Sequence, residues 1–219
     1  SFNHMAERIA ALIDNQRSLT NAVSHELRTP LARLSFEVDM LGHDQYLPRR
    51  GQILQDMRTD ISELEAMVAE LLVYARLERP TDDALRLETV DVCDWLGEVL
   101  ALVAHQADAR GIRCHVRAGY PAHVDLHPRY MSRALLNLVQ NAVRYASQRV
   151  EIELKETADG YELRVDDDGG GIAEADRERV FEPFIRLDES RDRGTGGAGL
   201  GLAIVKRVVD SHGAVSYTH

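Results

Sequence analysis

The chain has little of several things, and each shortage removes a class of answer. Only two of its 219 residues are cysteine, Cys93 and Cys114. Neither stands in a CxxC or Cys/His spacing, which excludes a disulfide scaffold or a zinc module and points to reduced thiols in a cytosolic compartment. No run of about 18 apolar residues occurs, and the N-terminus lacks a basic-then-apolar leader, so no membrane span is expected within this chain. Excess positive charge is missing too. The net charge of -10 and the scattered basic residues argue against a nucleic-acid partner, because phosphate backbones call for clustered Lys and Arg. The phosphate loop GxxxxGK[ST] and the serine/threonine kinase signatures are absent, and no internal repeat is visible. Aromatics are 5% of the chain, but an apolar content of 44% builds a real core and 28% charged residues give an ordinary helical surface.

Periodicity divides the chain in two. Leu27, Leu31, Leu34, Val38 and Leu41 alternate steps of four and three, the heptad seam of a packed helix. Leu54, Met57, Ile61, Leu64, Val68, Leu71 and Ala75 repeat that rhythm beyond "GHDQYLP", residues 42–48, whose Gly and Pro break the helix. The result is a helical hairpin. One hairpin leaves too much of its seam in water, so two chains are expected to combine into a dimeric four-helix bundle. Residues 79–86, "RPTDDALR", mark a boundary. Beyond it, strands at 87–92, 112–118, 120–126, 150–156 and 161–168 alternate with helices near 94–110, 128–145 and 200–212. That order predicts a two-layer α/β sandwich with helices on a mixed sheet.

Four stretches carry chemistry. In "SHELRTPL", residues 24–31, His25 lies about 200° around the helix from Val23 and Leu27, so it faces water. A neutral imidazole is a nucleophile; Glu26 beside it can take the ring N–H and fix the tautomer, and Thr29 shares its face at i+4. Pro30 and a stutter in the seam predict a bend in the same turn. In "NLVQNAVRYA", residues 137–146, Asn137 and Asn141 share a helix face, and their amide oxygens suit either caps or a hard cation carrying phosphates. "VDDDGGGI", residues 165–172, ends a strand in acids and glycines: either a polar turn, or backbone that lets a flat ligand approach an aspartate able to accept a purine amino proton. "GTGGAGLGLAIV", residues 194–205, runs glycines into an apolar helix whose N–H groups can point at anionic oxygens. It contains a literal GxGxxG at Gly194, Gly196 and Gly199, but "RLDESRDR" precedes it rather than a strand, which excludes a dinucleotide fold.

In order, "SHELRTPL", "NLVQNAVRYA", "DDDGGGI", "FEPF" and "GTGGAGLGLAIV" resemble the H, N, first glycine, F and second glycine boxes of the sensor histidine kinases of two-component systems, over nearly the whole chain. The resemblance implies a relay-linker helix at 1–16, a dimerisation and histidine-phosphotransfer domain at 17–80, and a catalytic ATP-binding domain at 81–219. It implies ATP and Mg²⁺ as cofactors, a homodimer, and a response regulator receiver domain as partner, in the cytoplasmic portion of a bacterial inner-membrane sensor. By the same resemblance His25 is the phosphoacceptor, Glu26 its acid/base partner and Thr29 an aid to dephosphorylation of the regulator. Asn141 resembles the Mg²⁺ ligand and Asn137 its neighbour, Arg144 and Tyr145 phosphate and adenine contacts, and Asp167, with Gly169, Gly171 and Ile172, the adenine-reading loop. Gly197, Gly199, Leu200 and Gly201 resemble the lid hinge and triphosphate glycines, Phe181 and Phe184 the lid anchors, and Arg191 and Arg193 lid cations. The family usually adds two strands after "DSHG", so an incomplete sheet is expected where this chain ends in "AVSYTH". Two other classes stay open: a dimeric ATPase of the related chaperone and mismatch-repair type, and a nucleotide-binding scaffold without catalysis.

Overall fold

A computed structural model describes residues 2–77, 87–158, 160–187 and 199–212, with the side chains of residues 2–16, 18 and 44 outside the description. The chain divides into two compact units, Ser1–Leu72 and Val73–His219.

The first unit is the hairpin. Helix α1 spans Phe2–Leu41 and continues through Pro30, whose missing N–H leaves the carbonyl of Glu26 without its helical donor. Gly42 ends it, and a 3₁₀ turn at Asp44–Arg49 leads into α2, Arg50–Leu77. On α2, Ile53, Asp60 and Met67 are buried at intervals of seven. Their neighbours Leu54, Ile61 and Val68 keep the same interval yet stay exposed. The expected seam is thus two stripes, one turned into the hairpin and one left open. On α1, Leu31 and Val38, also seven apart, are 52% and 57% exposed. One polar layer crosses the hairpin, where Arg33 Nε donates to Asp60 Oδ2 at 2.9 Å and Nη2 to Glu63 Oε2 at 2.8 Å. Glu37 lies in the same region with Oε2 buried and unbonded, and burial, then Asp60 and Asp56, push its carboxyl upward.

The second unit is the α/β sandwich. Strand β1 (Glu88–Asp91) pairs antiparallel with β3 (His123–Leu126). A mixed sheet in the order β2-β4-β5 joins β2 (Arg113–Val116) parallel to β4 (Arg149–Thr157), and β4 antiparallel to β5 (Gly160–Asp167). Helix α3 (Val92–Arg110) is capped by Asp91, which accepts from Asp94 N at 3.0 Å, and ends at Gly111 in the left-handed region. Helix α4 (Pro128–Tyr145) carries Pro at its first position, where a missing N–H is harmless. The core lies between these two helices and the sheet. Val92, Val99, Leu135, Val139 and Val143 of the helices meet Val150 and Ile152, which alternate inward along β4. Arg117, Glu151, Glu153, Lys155, Glu162 and Arg164 form a ladder of ion pairs on the opposite face. Helix α5 (Gly201–Ser211) packs on α4 through Ile204 and Val208.

Candidate functional sites

On α1 the side chain of His25 is 74% exposed, as its angular position predicts. Its Nδ1 lies 3.2 Å from Glu26 Oε1. A carboxylate only accepts, so this contact places the ring proton on Nδ1 and leaves the Nε2 lone pair facing water. Thr29 Oγ1 donates to the carbonyl of His25 at 3.5 Å, so its hydroxyl stands one turn along the same face. The three residues lie together on an open stretch of the hairpin.

A separate group forms on the α/β unit around α4 and α5. Asn137 is buried, and its Nδ2 donates to the carbonyl of Gly201 at 3.2 Å, tying α4 to the first turn of α5. Asn141, one turn on, is half-buried. Arg144 is half-buried, with its Nε buried and without a hydrogen-bond partner, while Tyr145 is exposed. A guanidinium nitrogen without a partner is chemically suited to an anion.

The loop after β5 closes on the end of α4. Asp167 Oδ1 accepts from Gly169 N at 2.8 Å, an Asx turn. A Cβ at residue 169 would stand 2.4 Å from the carbonyl oxygen of Tyr145, so only glycine fits between the loop and the helix end. Gly171 has φ +70. Sequence reasoning missed the neighbouring Asp168. Its Oδ1 accepts three successive backbone N–H groups, Ser147 at 2.9 Å, Gln148 at 2.9 Å and Arg149 at 3.1 Å. Those bonds, Gln148 and Arg149 first, hold its carboxyl below the usual value of 3.8. The run of three aspartates was the available signal, but nothing in it distinguishes the one that turns inward to the backbone.

Phe184 and Gly199 meet closely. Phe184 N donates to Gly199 O at 2.9 Å, and Phe184 holds φ +64, which a bulky residue rarely adopts. Gly199 has φ +73, and a Cβ there would lie 2.9 Å from Phe184 Cα. Leu200 is fully buried, and Lys206 Nζ lies 6.0 Å from the Phe181 ring centroid. The contact brings the two ends of the 185–198 segment together. Ile172 accepts from Arg177 Nε at 3.3 Å through its carbonyl. Gly194, Gly196, Gly197, Arg191 and Arg193 lie outside the described residues, as do the boundary segment 79–86 and "AVSYTH".

Residues 15–80 match the His Kinase A (phospho-acceptor) domain, and residues 127–219 match the histidine kinase-, DNA gyrase B- and HSP90-like ATPase family. The chain belongs to the sensor histidine kinases. It is 44% identical to Sensor protein RstB of Escherichia coli K12 over 209 residues, covering 95% of this chain and 46% of that one. To Sensor histidine kinase CpxA of the same organism it is 36% identical over 217 residues, covering 97% and 46%. The chain therefore spans about half the length of the curated relatives it matches. Among solved structures, full-length ShkA in complex with AMPPNP superimposes with a TM-score of 0.64 at 26% identity, covering 94% of this chain and 41% of that one.

The residues of this histidine kinase fit the nucleotide its family name implies. Arg144 Nε is without a partner, a Cβ at Gly170 or Gly171 beyond Asp167 would meet nothing within 4 Å, and Gly199 and Gly201 flank the start of α5. Among the described residues no three His, Cys, Asp or Glu side chains converge on a metal position. No helix among the described residues is long and apolar enough to cross a membrane.

Proposed function

We propose that the chain takes the γ-phosphoryl group of Mg-ATP onto His25 and passes it to an aspartate of a response regulator receiver domain. The observation that carries this reading is the exposed imidazole with Nδ1 against Glu26, in a chain whose other unit has the fold of a nucleotide-binding ATPase. The Nε2 lone pair attacks the γ-phosphorus as the bond to the bridging oxygen of ADP breaks. Positive charge then develops on the ring, and the Glu26 carboxylate, already on the Nδ1 proton, stabilises it. The P–N bond next breaks in favour of an acyl phosphate on the regulator. Thr29 would orient the water that hydrolyses the regulator's acyl phosphate to inorganic phosphate in the separate dephosphorylating step.

On the nucleotide side, Asp167 would accept from the adenine amino group, Tyr145 would cover the base and Arg144 would approach the phosphates, with Asn137 as the buried neighbour of Asn141 that ties α4 to Gly201. Asn141 would hold Mg²⁺, which supplies charge neutralisation on the phosphate oxygens. Gly169, Gly171 and Ile172 shape the base loop; Gly197, Gly199, Leu200 and Gly201 line the phosphates, with Phe181 anchoring the loop. The open heptad stripes of Leu31 and Val38 on α1, and of Leu54, Ile61 and Val68 on α2, support a homodimeric four-helix bundle. We place the chain on the cytoplasmic side of a bacterial inner membrane, as part of a longer sensor.

Incubation with γ-labelled ATP and Mg²⁺ tests the reading. The chain should acquire label that survives alkali but not acid, and His25→Gln should acquire none. ATP turnover that persists unchanged in His25→Gln, without label in either protein, would replace it with the chaperone-type ATPase.

A further inference from the structure

Two histidines outside both sites are joined across α4 and α5. His127 precedes α4, and its ring Nδ1 accepts the backbone N–H of Tyr130 at 3.4 Å, capping the helix. The backbone N–H of His127 donates to Nε2 of His212 at 3.3 Å. His212 caps the other end of α5, with Nδ1 2.7 Å from the carbonyl oxygen of Val208. A carbonyl only accepts, so Nδ1 of His212 carries the proton and Nε2 offers its lone pair. We propose that His127 and His212 are paired positioning residues that set α5, and the glycine loop at its start, against α4, and that the pair works only while both imidazoles are neutral.

The physical argument is one of direction. Leu200, just before α5, and Ile204 and Val208 along it are fully buried, and apolar contact holds a helix without fixing its register. Polar ties do fix it, and α5 has one to α4 near each end: Asn137 Nδ2 to the carbonyl of Gly201, and the His127–His212 bond. A second proton on His212 would sit on Nε2, facing the N–H of His127, donor against donor. A second proton on His127 would sit on Nδ1 and remove the cap acceptor. Among the described residues, the side chains in contact with the pair are Tyr130, with its ring centroid 4.4 Å from that of His127, and Ser211, with Oγ 3.5 Å from His212 Nδ1. Among the described residues neither imidazole has a carboxylate within ion-pair distance. The helix ends act in opposite senses, since the start of α4 repels a cation and the end of α5 attracts one. A proton added to either ring should therefore loosen α5 and the loop it carries.

The inference rests on the proposed nucleotide reading for its functional consequence, and two measurements keep the two apart. The first is calorimetric affinity for a non-hydrolysable ATP analogue with Mg²⁺ between pH 7.5 and 5.5, for the chain as it stands and for His127→Asn with His212→Gln. Asn caps and Gln accepts without titrating in that range. The unaltered chain should lose about fivefold more affinity than the double variant, the scale of one hydrogen bond. The ligand's own titration is common to both, so parallel profiles would overturn the proposal. The second is ¹⁵N ring NMR of the unaltered chain at pH 8, which should show His212 protonated at Nδ1. Protonation at Nε2 would overturn the proposal whether or not nucleotide binds, whereas a failure to bind at every pH would count against the nucleotide reading.

Discussion

The hairpin and the α/β unit solve the problem of burial in opposite ways. The α/β unit closes a core within one chain, where Leu135, Val139, Val143, Val150 and Ile152 are all inaccessible to water. The hairpin buries Ile53 and Met67 and leaves Leu31, Val38, Leu54, Ile61 and Val68 outside. It also spends one core position on Asp60, which Arg33 must neutralise. On the proposed reading, the unit that closes its own core is the one that binds nucleotide. On the same reading, the hairpin is completed by a second copy and would hold alternative packings, which would let His25 meet both nucleotide and regulator.

The comparison breaks most sharply in the core of the α/β unit. Leu135→Ala should cost about 3 kcal/mol through lost burial and a cavity. Thermal melting should show that unit unfolding early and nucleotide binding failing, with the hairpin's association unchanged. Next comes Ile61→Asp, which sets a charge on the open stripe and should weaken the bundle by about 2 kcal/mol. Sedimentation should find monomers at concentrations where the unaltered chain is dimeric, while nucleotide affinity holds. If both variants damaged both units equally, the division drawn here would fail.

A smaller effect follows from Asp168. Its carboxyl is held low in the folded state, so the stability it adds is present above the ordinary value of 3.8 and is lost as pH falls through the folded value. Asp168→Asn should therefore melt below the unaltered chain near neutrality, and the difference should close in strong acid. A gap constant down to pH 2 would sink this. Smallest of all is Glu37→Gln. The raised carboxyl of Glu37 means the hairpin gains from its neutral form, so its stability falls as pH rises through the carboxylate range. Allowing for solvent screening, the neutral amide should change hairpin stability by no more than about 0.5 kcal/mol, in the stabilising direction, and should flatten that dependence. Equilibrium denaturation at pH 5 and pH 8 checks it.

Much of the architecture was legible before any coordinate. The heptads announced the hairpin, alternation along 150–156 and 161–168 announced β4 and β5, and Pro128 marked the first turn of α4. These are signals of neighbouring residues on one face, which a linear pattern records directly. The exposure of His25 followed from the same angular arithmetic. The split between the stripes of Ile53 and Leu54 was not legible, because both are apolar and one residue apart, and only the packing of α1 decides which one turns inward. Asp168 was hidden for a related reason: three adjacent aspartates look alike until the chain between Ala146 and Arg149 folds back over one of them.

What the sequence determined by itself was the order of elements, the family, and the residue types at each candidate site, since all are set by spacing along one chain. The tertiary structure decided which atoms meet across that chain: Asn137 with Gly201, Tyr145 with Gly169, Phe184 with Gly199, and His127 with His212. Contacts between residues 15 to 85 positions apart depend on how helices and loops come to rest against the sheet, and that is settled by packing all the side chains at once rather than by any local pattern.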